Sequence, residues 1–276
     1  MRKSKRGLLA WLLLVAALLA GSLLTGHGGK EESIQTAMRD AVLHGENHIS
    51  LFGVKEVNPA CISALVVAGT LLLAAVLIRL LVIPRFSLVP GRFQLLLETL
   101  VSTFDGLARG NSPHRNGFLG AYVFSAGVYI FVGTLFELFG FQAVATNGSS
   151  IALPAPLSDV NAAISLGVLS YLVILSGGIA GNGLRGVGMT LKEFSLPLSM
   201  SFRLFGALLS GLLVTELVYH YLSLSFVLPV LVGVMFTLLH ALIQAYVLTM
   251  LTSLFYGEMA EPASKAPKKA AKPQNV

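Results

Sequence analysis

From Ala60 to Val82 the chain runs ACISALVVAGTLLLAAVLIRLLV, with Arg79 its sole charge. A continuous apolar run of this length buries no alternating face, so it suits neither a half-wet strand nor a surface helix. It matches the ~20 residues a helix needs to cross a bilayer core. Similar runs recur over about Gly117–Phe139, Val160–Ile179, Phe194–Leu222 and Ser225–Tyr256. Inside lipid every backbone N–H and C=O must be satisfied within the segment or by closing a barrel, and unbroken apolar runs select helices. Composition agrees: 55% of the 276 residues are hydrophobic and 12% charged, against about 25% charged in soluble domains. The expected fold is an all-α membrane protein with five to six transmembrane helices, the last two a long tilted hairpin.

Charge sets the orientation. Met1–Arg6 and Lys265–Lys272 carry much of the net charge of +6, as cytoplasmic flanks do, and neither suggests nucleic-acid binding. Residues 1–25 have a basic start and an apolar core from Leu8 to about Leu24, read as a cleaved signal peptide or a retained signal-anchor; both place the next segment outside the cytoplasm. Residues 26–59 are that polar external segment, with His27, His44 and His48 solvated. Arg79, Arg85 and Arg92 put the end of the first firm span inside. Phe93, Leu96, Leu97, Leu100 and Phe104 then recur at helical spacing, an amphipathic helix at the cytoplasmic surface. The loop Phe141–Ser158 lies outside, and GGIAGNGLRGVG after the third span reads as a glycine-rich cytoplasmic turn. Residues 60–258 form the membrane domain, and 259–276 a basic, disordered cytoplasmic tail. Six crossings return the C-terminus inside.

Several chemistries are excluded. Cys61 is the only cysteine, so no internal disulfide or cysteine metal cluster forms. No CxxC, GxxxxGK[ST] or HExxH motif occurs, and the glycines of GNGLRG follow a membrane span rather than a strand. The expectation is no cofactor and no metal.

One residue breaks the apolar pattern. Arg203 lies mid-span in SLPLSMSFRLFGALLSGLLVTE, between Glu193 and Glu216 as nearest charges. A charge there costs at least ~2.5–3.5 kcal/mol, and arginine cannot escape by losing its proton. A fixed positive charge at mid-membrane suits control of a negative or ionisable partner.

SFRLFG around Arg203 and QAYVL from Gln244 resemble the (S/G)xRLFGN and QA(Y/F)(V/I)F motifs of subunit a of the rotary F-type ATP synthase. LVPGRFQLLLETLV and PLSDVNAAISL are similar to that family's VPxxxQxxxE and PxxD(L/V)N stretches, in the same order. The resemblance implies a non-catalytic stator subunit in a bacterial plasma membrane, beside a ring of c subunits and b-type stator subunits, with the other subunits of the synthase doing the ATP chemistry. Ions would enter by one half-channel, ride ring carboxylates and leave by another. It implies that Arg203 is the essential arginine and Gln244 its neighbour, with Glu137, Asp159 and Asn161 at the external half-channel. The motif's Asn and the acid five residues later are here Ala207 and Leu212, and the polar residue seven before the glutamine is Thr237. Glu216, His220 and His240 are polar residues nearby, read as relocated half-channel groups. The stretch before Arg203 is also shorter than the family's, which suits a divergent second rotary ATPase. H⁺ and Na⁺ both stay open. The rival reading is a secondary transporter or channel with Arg203 as an anion site or gate; a structural subunit that has lost transport is a third.

Overall fold

The computed structural model describes residues 49–51, 55–114, 116–144, 150–220 and 228–262, without side chains at 49–51, 55–56, 150–152, 212, 215–220 and 228–232. The N-terminal 25 residues, the three early histidines and most of the basic tail lie outside the described residues.

Seven α-helices make up the described chain: α1 Pro59–Leu77, α2 Arg92–Asn111, α3 Gly117–Phe136, α4 Val160–Asn182, α5 Leu184–Lys192, α6 Ser195–His220 and α7 Leu228–Ala260. Two antiparallel hairpins accompany them, β1 Ile49–Leu51 with β2 Lys55–Val57, and β3 Gln142–Val144 with β4 Ser150–Ala152. The fold is all-α, as read from the sequence. Four stretches among the described residues are long and apolar enough to cross a membrane: Pro59–Arg85, Gly117–Phe139, Val160–Asn182 and Gly233–Ala260. Helix α6 adds 26 residues and α7 has 33, about 39 and 50 Å of rise. Both are longer than a hydrocarbon core of ~30 Å. Helix α7 runs two residues beyond the expected end of the membrane domain.

Local chemistry sets the boundaries. Asn58 accepts from Ala60 N at 3.0 Å with Pro59 at the first helical position, where a missing N–H costs nothing. Asp159 caps α4 in the same way, accepting from Asn161 N at 2.6 Å. Beyond Leu77 the first span continues as a π turn and a 3₁₀ turn to Arg85. Gln94 then fastens the bend into α2, accepting from Ser87 N at 3.1 Å and donating to Ser87 O at 2.9 Å and Glu98 at 2.7 Å.

GGIAGNGLRGVG is mostly helical and turns at one residue. Helix α4 continues through it to Asn182, reverses at the single residue Gly183 (φ +59°) and restarts as α5. Only glycine takes that backbone readily. Gly178 and Gly186 let the two helices touch backbone to backbone; a β-carbon on Gly186 would collide with the Gly178 carbonyl.

The core lies where α3, α4, α6 and α7 meet, the largest contact being α3 against α7. Leu119, Ile130, Ile174, Met200 and Leu204 are fully buried there. Lipid is as apolar as leucine, so burial adds little drive between helices, and close packing and interhelical hydrogen bonds do the holding. Tyr122 of α3 bonds Ser170 of α4 at 2.8 Å. Asn111 at the end of α2 donates to Ser253 of α7 at 3.1 Å, and Ser253 donates to Leu107 O at 3.2 Å. Asn182 donates to the carbonyls of Met259 at 3.1 Å and Glu261 at 2.8 Å. Each such bond is worth roughly 0.6 kcal/mol, up to about 1.7. The carboxyl-terminal half of α2 packs on the bundle, with Phe104 edge-on to Phe124 at 5.8 Å. Its first half leaves Phe93, Leu95 and Leu96 exposed.

Candidate functional site

Helix α6 buries Leu196, Met200, Leu204 and Leu208 at four-residue spacing, one row of its surface. The opposite face carries Leu198, Phe202, Gly206 and Ser210, and Arg203 lies on the flank beside the buried row, all of them exposed. Arg203 is therefore exposed at the surface of the bundle, at the edge of the seam between α6 and α7. Among the described residues its guanidinium makes no ion pair or hydrogen bond, the one salt bridge being Arg109 to Asp105 at 2.7 Å.

Gln244 of α7 lies directly behind it. The Gln244 side chain is 6% exposed, and its Nε2 donates to the main-chain oxygen of Arg203 at 3.3 Å. Its Oε1 is buried without a partner. An orphaned amide oxygen in an apolar site costs about 1–3 kcal/mol. Arg203 and Gln244 share a crevice too tight for water, walled by Met200, Leu204, Val247 and Leu251. The two residues singled out in the sequence are thus brought together.

His240 sits one turn before Gln244, half-buried, with its ring 5.9 Å from that of Phe236. It lies over Gly211 of α6, where an added β-carbon would stand 3.7 Å from Nδ1. Gly211 directly precedes Leu212, the position of the family motif's acid. Glu216 and His220 belong to α6, with side chains outside the described residues.

The other acids lie apart from this hairpin. Glu137 opens a 3₁₀ turn at the end of α3, half-buried. Asp159 uses both carboxylate oxygens: Oδ1 accepts from Asn161 N and Ala162 N, and Oδ2 accepts from the Asn58 side chain. Asn161 is exposed on the first turn of α4. Sequence reasoning missed Asn58, which ties the starts of α1 and α4 together. An Asn before Pro at the head of an apolar run is a helix-start signal and marks its cap, but nothing local marks Asp159 as its partner, 101 residues away. It also missed the Gln94 clamp and the Asn111–Ser253 link.

The family model described as ATP synthase A chain matches residues 62–257. The chain is 26% identical over 199 residues to ATP synthase subunit a of Cereibacter sphaeroides (strain ATCC 17025 / ATH 2.4.3), covering 68% of this chain and 76% of that protein. It is likewise 26% identical over 199 residues to ATP synthase subunit a of Histophilus somni (strain 129Pt), covering 60% of this chain and 73% of the relative. With the match spanning most of the bundle, the chain belongs to the ATP synthase A chain family, as a multi-pass, ion-translocating stator subunit of the F-type complex that is not itself the catalytic subunit.

Proposed function

We propose that this subunit carries ions between two half-channels and presents Arg203 to the carboxylates of a c-subunit ring, with b-type subunits completing the stator. The carrying observation is that, among the described residues, the Arg203 guanidinium is unpaired, on an exposed stretch otherwise uncharged from Ser195 to Gly211. A fixed charge left open to the outside of the bundle is useful only to a partner that brings the opposite charge. At an effective dielectric of about 20, opposite charges ~4 Å apart attract by roughly 4 kcal/mol. That lowers a carboxyl pKa by around three units. Each arriving ring carboxyl would give up its ion beside Arg203, and the same charge would block leakage between the half-channels.

Gln244 positions this charge from behind. Glu137 and Asn161 belong to the external half-channel, and Glu216, His220 and His240 to the polar positions of the α6–α7 hairpin. Asp159, with both oxygens engaged, supports that channel by fixing the start of α4. The protein sits in a bacterial plasma membrane with its C-terminus cytoplasmic, as the arginines after α1 and the basic tail favour.

The test is ATP-driven uptake of H⁺ and of Na⁺ into vesicles carrying the assembled complex, with Arg203 intact or changed to Ala. Loss of uptake in an assembled Arg203→Ala complex is the expected result and names the ion. Undiminished uptake overturns the reading.

A further inference from the structure

The bend between α1 and α2 gathers positive charge. Arg79, Arg85 and Arg92 are all exposed. Among the described residues none of the three makes an ion pair, the one salt bridge being Arg109 to Asp105 at 2.7 Å. The other acid of the stretch, Glu98, accepts from Gln94 at 2.7 Å. From Arg79 to Asn111 four arginines stand against two acids, so the surplus is positive. The clamp of Gln94 on Ser87 sets where that surplus lies. Arg85 stands two residues before Ser87, and Arg92 two residues before Gln94. The clamp therefore holds Arg85 and Arg92 on the two arms of one bend.

The same bend is apolar. Leu88 and Val89 have at least 84% of their surface open. Beside them an open hollow of about 470 Å³ runs along α2, lined by Arg92, Leu95, Leu96, Thr99, Leu100 and Thr103, with no acid among them. On the other arm the exposed leucines continue along the first span through Leu72, Leu73, Leu80 and Leu81. That span, Pro59–Arg85, is long and apolar enough to cross a membrane. Its exposed side chains therefore meet hydrocarbon, and the bilayer reaches the bend along them. A soluble acidic partner would answer the arginines and leave Leu88, Val89 and Phe93 in water. A phospholipid with a net negative headgroup answers both.

We propose that this bend and the first half of α2 bind an anionic phospholipid. Arg85 and Arg92 hold its phosphate, and its acyl chains lie against Leu95, Leu96 and the end of the first span. The planar fork of arginine suits phosphate oxygens, and basic residues just beyond a span draw anionic headgroups. Arg79 adds charge from within the span, its long stem letting the guanidinium reach the headgroup layer. The bound lipid fastens the junction of α1 and α2 to the membrane surface. The site is separate from Arg203 and does not rest on the half-channel reading.

The test places the assembled complex in phosphatidylcholine vesicles carrying a trace of photoactivatable phosphatidylglycerol, or of phosphatidylcholine with the same photoactivatable acyl chain. After illumination, peptide masses locate the attached lipid. Phosphatidylglycerol should label the segment from Arg79 to Thr103 on the order of tenfold more than the choline lipid, and high salt should narrow the difference. Arg85→Gln with Arg92→Gln should erase the preference. The comparison of the two lipids on the unchanged protein decides should that variant fail to assemble. Equal labelling by both lipids, or phosphatidylglycerol attached only to other segments, overturns the site. A photoreactive side chain in place of Leu96 gives the remaining outcome: attachment to a neighbouring subunit, with no lipid captured, assigns the face to a protein and likewise overturns it.

Discussion

The Gln244 amide nitrogen donates to the main-chain carbonyl of Arg203 at 3.3 Å. The bond joins α7 to α6 at the arginine's own backbone and leaves the guanidinium free to face outward. Gln244 thus holds the position of the charge without neutralising it. Gln244→Leu removes both the bond and the orphaned oxygen at similar volume, so stability should move by less than about 1 kcal/mol. Uptake should still fall. Thermal unfolding of the purified complex alongside vesicle uptake checks the split, and a matched fall in both would make Gln244 merely structural.

Arg203→Lys should behave nearly as badly as Arg203→Ala. A lysine in that apolar face can discharge by losing its proton, and its ammonium lacks the planar fork of the guanidinium. Uptake measured from mildly acidic to alkaline conditions should show residual lysine activity confined to the acidic end, where the ammonium stays charged.

Asp159 and Asn58 should couple. Asp159→Ala removes the cap of α4 and the link to α1, costing about 1–2 kcal/mol, whereas Asp159→Asn keeps an acceptor for Asn161 N and costs less. Asn58→Ala should cost less on top of Asp159→Ala than it does alone, because the link between them cannot be lost twice and only the cap of α1 remains to be lost. Thermal unfolding of the two single variants and the double variant measures the coupling, and simple additivity would contradict it.

Gly211 and Gly186 should respond differently to the same change. A β-carbon at Gly211 meets the His240 ring at 3.7 Å, an ordinary contact, so Gly211→Ala should assemble and transport. Gly211→Leu has no such room and should displace His240. At Gly186 even alanine strikes the Gly178 backbone, which cannot swing aside. Gly186→Ala should cost about 1–3 kcal/mol and lower the yield of assembled complex in membranes.

Much of the bundle was legible in the sequence because lipid is a demanding solvent. A span needs ~20 apolar residues whatever surrounds it, so Gly117–Phe139 could be bounded from the letters alone. Arg203 was equally legible, since a charge that costs several kcal/mol in an apolar run stands out without any structure. The glycine-rich stretch from Gly177 to Gly188, read as a turn throughout, turns only at Gly183, for a definite reason. Glycine serves both where a chain must turn and where two backbones must touch, and composition does not separate these uses. At Gly183 it does the first, and at Gly178 and Gly186 the second.

The sequence by itself determined that the protein is an all-α membrane protein, where its long apolar helices lie, and that Arg203 is the charge set within one of them. Those properties depend on each residue's transfer to lipid, which is local. Only the tertiary structure decided that Gln244 grips the backbone of Arg203, that His240 rests on Gly211, and that Asp159 answers Asn58. Each of these joins residues distant along the chain, and their meeting depends on how helices rotate and cross, which no single segment encodes.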